Sequence, residues 1–159
     1  MSRPGALLLL LLAACGYSAG FDLANEGIRT VAVEVAGNAS FRQKLEVPLM
    51  RELHHALAEH SQLVVAKAGR ADSRLVVDIL DVQGRSLATG GQSPIKEGAL
   101  EFAVRVRLLR EPDGHVVRDR RVLDRAEFRV PVGENLTTAT NEAAADLARK
   151  IVLALEPDF

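Results

Sequence analysis

The residue whose chemistry is most sharply defined by its surroundings is Cys15, the only cysteine in the 159-residue chain. It follows the tripeptide Leu12-Ala13-Ala14, which ends an uncharged apolar run over residues 6–14, and Arg3 precedes that run. The run is too short to cross a bilayer, because a spanning helix needs about 20 residues. A positive charge, an apolar stretch and small residues before a cleavage point are typical of a secretory signal peptide. We therefore predict a signal peptide over residues 1–14.

The tetrapeptide Leu12-Ala13-Ala14-Cys15 resembles the lipobox of bacterial lipoproteins. That resemblance implies diacylglyceryl attachment to the Cys15 sulfur, cleavage after Ala14 and acylation of the new amino terminus. Several acyl chains anchor a protein stably, whereas one chain binds a membrane only marginally. We therefore expect a covalent lipid on Cys15, no other cofactor, and a domain tethered to a membrane surface. An ordinary cleaved signal with an incidental cysteine is the alternative.

Other residue types that could support catalysis do not form a recognisable constellation. Three histidines in the first predicted helix lack the i, i+4 spacing that places two metal ligands on one face. They are His54, His55 and His60. Three aspartates near the third predicted strand have no obvious acid, base or nucleophile partner. They are Asp72, Asp78 and Asp81. We find no nucleophile elbow and no phosphate-binding glycine loop, so we predict no catalytic residue, no metal and no enzyme.

Arginines are concentrated in the last two predicted strands, largely opposite the apolar residues. They are Arg105, Arg107, Arg118, Arg120, Arg121, Arg125 and Arg129. Guanidinium groups suit phosphates and carboxylates. We predict that Arg105, Arg107, Arg118 and Arg120 contact a lipid phosphate or an acidic partner. The alternative is a solvated face, balanced by Glu101, Asp119, Asp124 and Glu127.

Composition limits the classes of protein that this chain can be. Charged residues make up 26% and hydrophobic residues 48%, as in globular domains. The net charge of −1 argues against a nucleic-acid partner. A lipidated sole cysteine excludes a disulfide and a thiolate zinc site. We predict a lipidated tether over residues 15–27 and a single α/β domain over residues 28–159, long enough for one core.

The elements follow from hydrophobic periodicity. Val31, Val33 and Val35 alternate in a first strand, and leucines then recur every four residues from Leu45 to Leu57 in a helix. Pro48 is tolerated there because first-turn amides have no intrahelical acceptor. A short strand at residues 63–66 precedes a longer one over residues 73–83. Apolar pairs on both faces of the longer strand indicate a central strand or a bulge.

The second half of the chain contains the clearest alternation. Glycines and a proline predict a loop or irregular hairpin over residues 84–98. Residues 100–108 then alternate strictly, a turn at residues 112–114 follows, and a returning strand over residues 115–130 pairs antiparallel. A helix begins after Asn135 and ends at Glu156-Pro157. The order β-α-β-β-β-β-α predicts an α+β two-layer sandwich, with a mixed or antiparallel sheet of four to five strands and two amphipathic helices on one face.

Several short segments resemble the LptE family of lipopolysaccharide-assembly lipoproteins. They are Cys15-Gly16-Tyr17, Ile28 to Val33, Asn38-x-Ser40-Phe41-Arg42, Leu45-Glu46, Leu49 to Leu57, Ala71-Asp72, Asp146-Leu147-Ala148 and Ile151-Val152. The resemblance implies a two-layer sandwich that plugs an outer-membrane β-barrel of the LptD type, helps it fold and helps it pass lipopolysaccharide to the cell surface, without catalysis. It implies the periplasmic side of the outer membrane, and Gly16 in place of aspartate is compatible with that sorting. Direct contact with lipopolysaccharide stays open.

Two other classes of protein share some of these features. Small lipoproteins with a similar first strand and helix activate cell-wall synthases or build secretion pores. A hydrolytic periplasmic lipoprotein is the enzymatic alternative, although the chain offers no catalytic constellation for it.

Overall fold

The computed structural model describes residues 20–39, 45–88, 97–129 and 136–157. The predicted signal peptide and Cys15 therefore lie outside the described residues. The elements run in the order β1 (Thr30–Asn38), α1 (Glu46–His60), β2 (Val64–Val65), β3 (Ser73–Ala88), β4 (Glu97–Arg110), β5 (Val116–Arg129) and α2 (Leu136–Leu153). This confirms the predicted order and the α+β class. No helix in the described part of the chain is both long and apolar enough to span a membrane.

The five strands form one mixed sheet in the order β2-β1-β3-β4-β5. Strand β1 pairs parallel with β2 on one side and with β3 on the other, while β3, β4 and β5 form an antiparallel meander. Strand β3 is both central and bulged, since its register with β4 shifts between Ile79 and Asp81. The bulge leaves Leu80 40% exposed. The two interpretations left open for this strand are therefore both correct.

The hairpin between β3 and β4 is longer than its sequence indicates. Gly84 pairs with Leu100 and Ala88 pairs with Glu97, so strand extends over residues 84–88 and 97–98 of the segment predicted as a loop or irregular hairpin. The loop alternative was wrong at both ends of that segment, because backbone ladder hydrogen bonds do not require apolar alternation, which glycines interrupt. The irregular-hairpin alternative agrees with the register shift between Ser86 and Ala88. Residues 89–96 lie outside the described part of the chain.

Both helices cover the same face of the sheet, as predicted. The core contains Val31 of β1, Leu75 and Val77 of β3, and the even-numbered β4 residues from Leu100 to Leu108. Helix α1 contributes four buried residues, Leu49, Leu53, Ala56 and Leu57, to this layer. Helix α2 contributes another six, namely Ala143, Ala144, Leu147, Ala148, Ile151 and Val152. The small alanines let α2 approach α1 and the sheet closely.

The segment before β1 is packed onto the domain. Leu23 is 1% exposed, Phe21 bridges to Ser61 at the end of α1, and a short 3-10 helix spans Ala24–Glu26. Residues 20–27, which were predicted as part of a tether, therefore belong to the folded unit. Apolar burial of Leu23 and Ile28 holds them there. Residues 15–19 of the predicted tether lie outside the described residues.

Candidate functional surface

The sheet face opposite the helices is a polar surface that the described elements leave uncovered. We call it the helix-free face. Its side chains come from the strand positions that alternate with the core positions. Strand β3 contributes Arg74, Val76 and Asp78, β4 contributes the odd-numbered residues from Glu101 to Leu109, and β5 contributes Asp119, Arg121, Leu123, Arg125 and Glu127. Val76 and Ala103 are buried on this face, at 5% and 9% exposure. The aliphatic stems of the long charged side chains account for this covering.

Two arginines at the centre of the helix-free face are neutralised by carboxylates on neighbouring strands. Arg105 donates from Nε and Nη2 to the two carboxylate oxygens of Asp119, at 3.0 and 2.6 Å. This bidentate hydrogen bond lowers the pKa of Asp119 and raises the pKa of Arg105. Arg107 donates from Nη2 to Asp78 at 2.8 Å. Both guanidinium groups therefore form ion pairs with carboxylates on a neighbouring strand.

The same pattern extends to both sides of that centre. Arg125 lies 3.0 Å from Glu127 and 3.9 Å from Glu101. Arg74 lies 3.1 Å from Glu111 and 3.4 Å from Glu34. The helix-free face thus presents interleaved charges of both signs instead of a single basic field.

The four arginines predicted to bind together do not share one surface. Arg105 and Arg107 lie on the helix-free face, whereas Arg118 pairs with Leu108 and Arg120 with Val106, on the helix side. Arg118 is held by the carboxylate of Glu26, at 2.5 and 3.2 Å. The signal for this division was present in the sequence, because the two arginines of β5 have the same parity as Ala126, which faces the core. The predicted phosphate contact itself stays a prediction.

A buried ion pair lies on the helix side of β5 and was missed by the sequence reasoning. The side chain of Asp124 is completely buried, and its Oδ1 accepts hydrogen bonds from Lys150 Nζ and from the Arg125 amide. Lys150 also binds Asp146 at 2.9 Å. Hydrogen bonds to Asp124 and Asp146 raise the pKa of Lys150, and the bond to Lys150 lowers the pKa of Asp146. Within the described residues, Oδ2 of Asp124 has no hydrogen-bond donor.

The histidines and the other aspartates that the sequence singled out lie on helix surfaces or accept hydrogen bonds within the fold. No group of three or more metal-binding side chains occurs among the described residues. His55 and His60 border an open depression of about 430 Å³ between the helices. Asp72 accepts hydrogen bonds from the amides of Arg29 and Thr30. Asp81 accepts from Gln83 at 2.6 Å. Asp72 also accepts a hydrogen bond from the Thr30 hydroxyl at 2.9 Å, so these carboxylates serve as hydrogen-bond acceptors within the fold.

Comparison with known proteins decides the family. The family model of LptE, described as lipopolysaccharide-assembly, matches residues 28–155. The chain belongs to the LptE family. Members of this family are non-catalytic and partner components of lipopolysaccharide transport. No curated protein matches the chain.

Solved structures share the fold at low sequence identity. A putative lipoprotein from Caulobacter crescentus CB15 is 21% identical with a TM-score of 0.54, covering 79% of this chain and 86% of that one. A minor lipoprotein from Acinetobacter baumannii is 15% identical with a TM-score of 0.52, covering 80% and 91%. The PelC dodecamer from Paraburkholderia phytofirmans is 16% identical with a TM-score of 0.56, covering 87% and 96%. At these identities the likeness concerns the fold alone.

Proposed function

We propose that this member of the LptE family is a lipoprotein of the outer membrane, anchored on the periplasmic side through a lipid on Cys15. There it acts as the non-catalytic partner of a lipopolysaccharide-transporting β-barrel of the LptD type, supporting barrel assembly and delivery of lipopolysaccharide. The observation that carries this proposal is the family match over residues 28–155, nearly the whole folded domain.

The helix-free face supports a barrel as the partner on chemical grounds. The interior of a transmembrane β-barrel is polar, and this face presents paired charges of both signs around Arg105, Asp119, Arg107 and Asp78. Facing a polar, water-containing lumen costs this surface little desolvation free energy. An apolar partner, in contrast, would remove water from those ion pairs. We therefore place the barrel contact on the helix-free face.

The test is affinity purification of the full chain from detergent-solubilised outer membrane. We expect a large β-barrel protein to be recovered with it. Recovery of a cell-wall synthase without a barrel would contradict the proposal. To locate the contact, Arg107→Glu should reduce barrel recovery because it puts a second negative charge beside Asp78. Arg51→Glu, an equal change of charge on the exposed side of α1, is the matched control.

The anchor is tested by Cys15→Ala in the full chain. We expect the variant to leave the outer-membrane fraction, because the lipid on Cys15 is the anchor that this proposal assigns to the protein. The control is Ser18→Ala, a change of similar size close to the predicted lipid. Retention of the Cys15→Ala variant in the outer membrane would show that protein contacts, and not acyl chains, hold the protein there.

A phosphate contact at Arg105 and Arg107 is a second, smaller proposal for the same face. Reversing both charges should weaken binding to vesicles that contain a phosphorylated lipid. Unchanged affinity of the double variant would leave the ion pairs as the sole role of these arginines.

A secretion-pore component is the alternative function, favoured by the structural likeness to a protein that forms a dodecamer. That function predicts a ring of many identical copies without a barrel partner. Native mass spectrometry of the detergent-solubilised protein distinguishes the two assemblies by their mass and composition.

A further inference from the structure

The helix-free face contains an open depression of about 540 Å³ over strands β3, β4 and β5. We call it the Leu123 depression. Its lining includes two cross-strand rows of side chains, with Asp81, Ala103 and Leu123 in one row and Gln83, Glu101 and Arg125 in the next. The depression therefore lies within the face on which we place the barrel contact.

One of these rows gives the depression an apolar side. Leu123 is 67% exposed and lies directly across from Ala103 of β4. Along the same face of β5 its neighbours are the charged Arg121 and Arg125. An exposed apolar area bordered by polar residues is typical of a site at which a partner binds. Leu123 is therefore available to pack against a side chain of a partner.

The charges around the depression do not balance. Arg125 lies 3.0 Å from Glu127 and 3.9 Å from Glu101, so this one cation faces two carboxylates. Asp81 accepts a hydrogen bond from the Gln83 amide at 2.6 Å, and no cation among the described residues lies within ion-pair distance of it. The aspartates at the centre of the same face, in contrast, are each paired with a guanidinium group. The Leu123 depression is therefore short of positive charge.

Arginine and lysine are the side chains that fit both features. Each carries its charge at the end of a long aliphatic stem. Asp81 and Leu123 lie in one row two strands apart, a separation of about 10 Å, so the stem can pack against Leu123 while the charged head reaches Asp81. An apolar side chain would bury the Asp81 carboxylate without a cation, and an acidic one would add a like charge.

We propose that the Leu123 depression receives an arginine or lysine side chain from the inner wall of the barrel partner. The cationic head pairs with Asp81, and the aliphatic stem packs against Leu123. The inference rests on the proposed barrel partnership and adds the chemistry of one contact to it. Because the ion pairs at the centre of the helix-free face already satisfy each other, the depression selects the position on the wall that docks there.

Reversal of the charge at Asp81 tests the cationic contact in the full chain. Affinity purification from detergent-solubilised outer membrane measures the amount of barrel recovered with each variant. We expect Asp81→Lys to recover about tenfold less barrel than the wild type, because it brings two cations together. Glu59→Lys makes the same change of charge on the exposed side of α1 and should recover the wild-type amount. Equal recovery by the two variants would overturn the proposal.

Truncation of Leu123 tests the apolar contact without changing any charge. Leu123→Ala should recover less barrel than the wild type, because the aliphatic stem loses its packing partner. Val47→Ala removes an exposed apolar side chain from α1 and is the matched control. We expect equal unfolding midpoints in urea for both variants, since neither side chain belongs to the core. Equal recovery of barrel by the two variants would contradict the packing of the stem on Leu123.

Site-specific cross-linking identifies the occupant of the depression. A photoreactive amino acid in place of Leu123 is irradiated in intact cells, and mass spectrometry locates the cross-linked segment of the barrel. We expect that segment to contain an arginine or lysine whose replacement by glutamate restores barrel recovery to Asp81→Lys. A cross-linked segment without a cationic residue would overturn the inference. A wild type that recovers no barrel would instead overturn the proposed function, which separates the two failures.

Discussion

Asp72 is a single carboxylate that joins the start of β1 to the turn before β3. Its Oδ2 accepts hydrogen bonds from the Thr30 hydroxyl at 2.9 Å and from the Thr30 and Arg29 amides at 2.9 and 3.1 Å. Its own amide donates to the Thr30 hydroxyl at 2.8 Å. The parallel strands β1 and β3 are not joined by a tight turn that could set their register. These reciprocal hydrogen bonds therefore fix the register at the start of the two strands.

The hydrogen bond from the Thr30 side chain, followed by the two amide bonds, lowers the pKa of Asp72 below its ordinary value of about 3.8. A carboxyl whose pKa is lowered by folding contributes stability above the unfolded pKa, and this contribution is lost as pH falls through the folded pKa. Asp72→Asn should therefore unfold at a lower urea concentration than the wild type near neutral pH. The difference should shrink as pH falls below about 3.8. A difference that stays constant with pH would contradict the role of the charge.

Lys150 is the partner of the buried Asp124 carboxylate, so Lys150→Met should be destabilising. Removal of the ammonium group takes the cation away from the buried Asp124 carboxylate and leaves it the hydrogen bond from the Arg125 amide, which costs about 1–3 kcal/mol. We place the effect at the lower end of this range because Lys150 is 41% exposed and water screens the pair. Lys67→Met, in an exposed loop, is the control, and Asp124→Asn combined with Lys150→Met should recover part of the loss. Equal unfolding midpoints for Lys150→Met and the control would contradict this role.

For single residues, the spacing along a strand predicted which face of the sheet a side chain lies on. The sequence did not predict which distant residue each charged side chain pairs with. The parity of Arg118 and Arg120 with Ala126 already places them on the helix side of β5. The ion pair between Arg118 and Glu26, however, joins residues 92 positions apart, and only the folded chain brings them together. The same holds for Asp124 and Lys150, since nothing in β5 indicates which residue of α2 will lie beside it.

At the scale of elements, α1 is stabilised by its buried stripe. Leu53 is fully buried, and replacing a buried leucine by alanine costs about 2–5 kcal/mol. Leu53→Ala should therefore lower the free energy of unfolding by that amount in chemical denaturation. Val47→Ala, at a position of the same helix that is 75% exposed, should change it by less than about 0.5 kcal/mol. Similar losses for both variants would mean that α1 is not docked as described.

Periodicity was sufficient to predict most elements because the core is one-sided. Strict alternation from Leu100 to Leu108 and the four-residue leucine spacing of α1 both reflect one face buried against a single layer. Periodicity failed where backbone pairing alone holds a strand, as at Gly84. It also could not reveal that β1 lies between β2 and β3, because strand order depends on how distant segments pack.

The N-terminal segment docks against the end of α1 through a close backbone approach at Gly20. A Cβ atom there would lie 2.4 Å from the carbonyl carbon and oxygen of His60, and φ is +89°. Gly20→Ala should therefore undock the segment and break the hydrogen bond from the Gln62 amide to Phe21. Gly27→Ala also has a positive φ but open space around it, which makes it the matched control. We expect faster hydrogen exchange at Gln62 in the first variant only, and equal exchange in both would contradict the docking.

At the scale of the whole molecule, the packed segment limits how far the domain can lie from its predicted anchor. Residues 16–19 separate Cys15 from Gly20, and an extended chain spans at most about 3.6 Å per residue, or about 18 Å in all. Insertion of about 20 glycine and serine residues after position 19 should relax this limit and reduce recovery of the barrel. Undiminished recovery with the inserted linker would show that short reach is not required. An equal insertion in the turn at residues 112–114 controls for chain length.

The docking of residues 20–23 beside Ser61 also has a consequence for orientation. A lipid on Cys15 would tether the domain to the membrane by a short segment that docks near the end of α1. This end of the sandwich would therefore face the bilayer. Diffusion of the domain would then be confined to a thin layer at the membrane surface. A partner embedded in the same membrane would be encountered by lateral movement, always with the same end of the molecule leading.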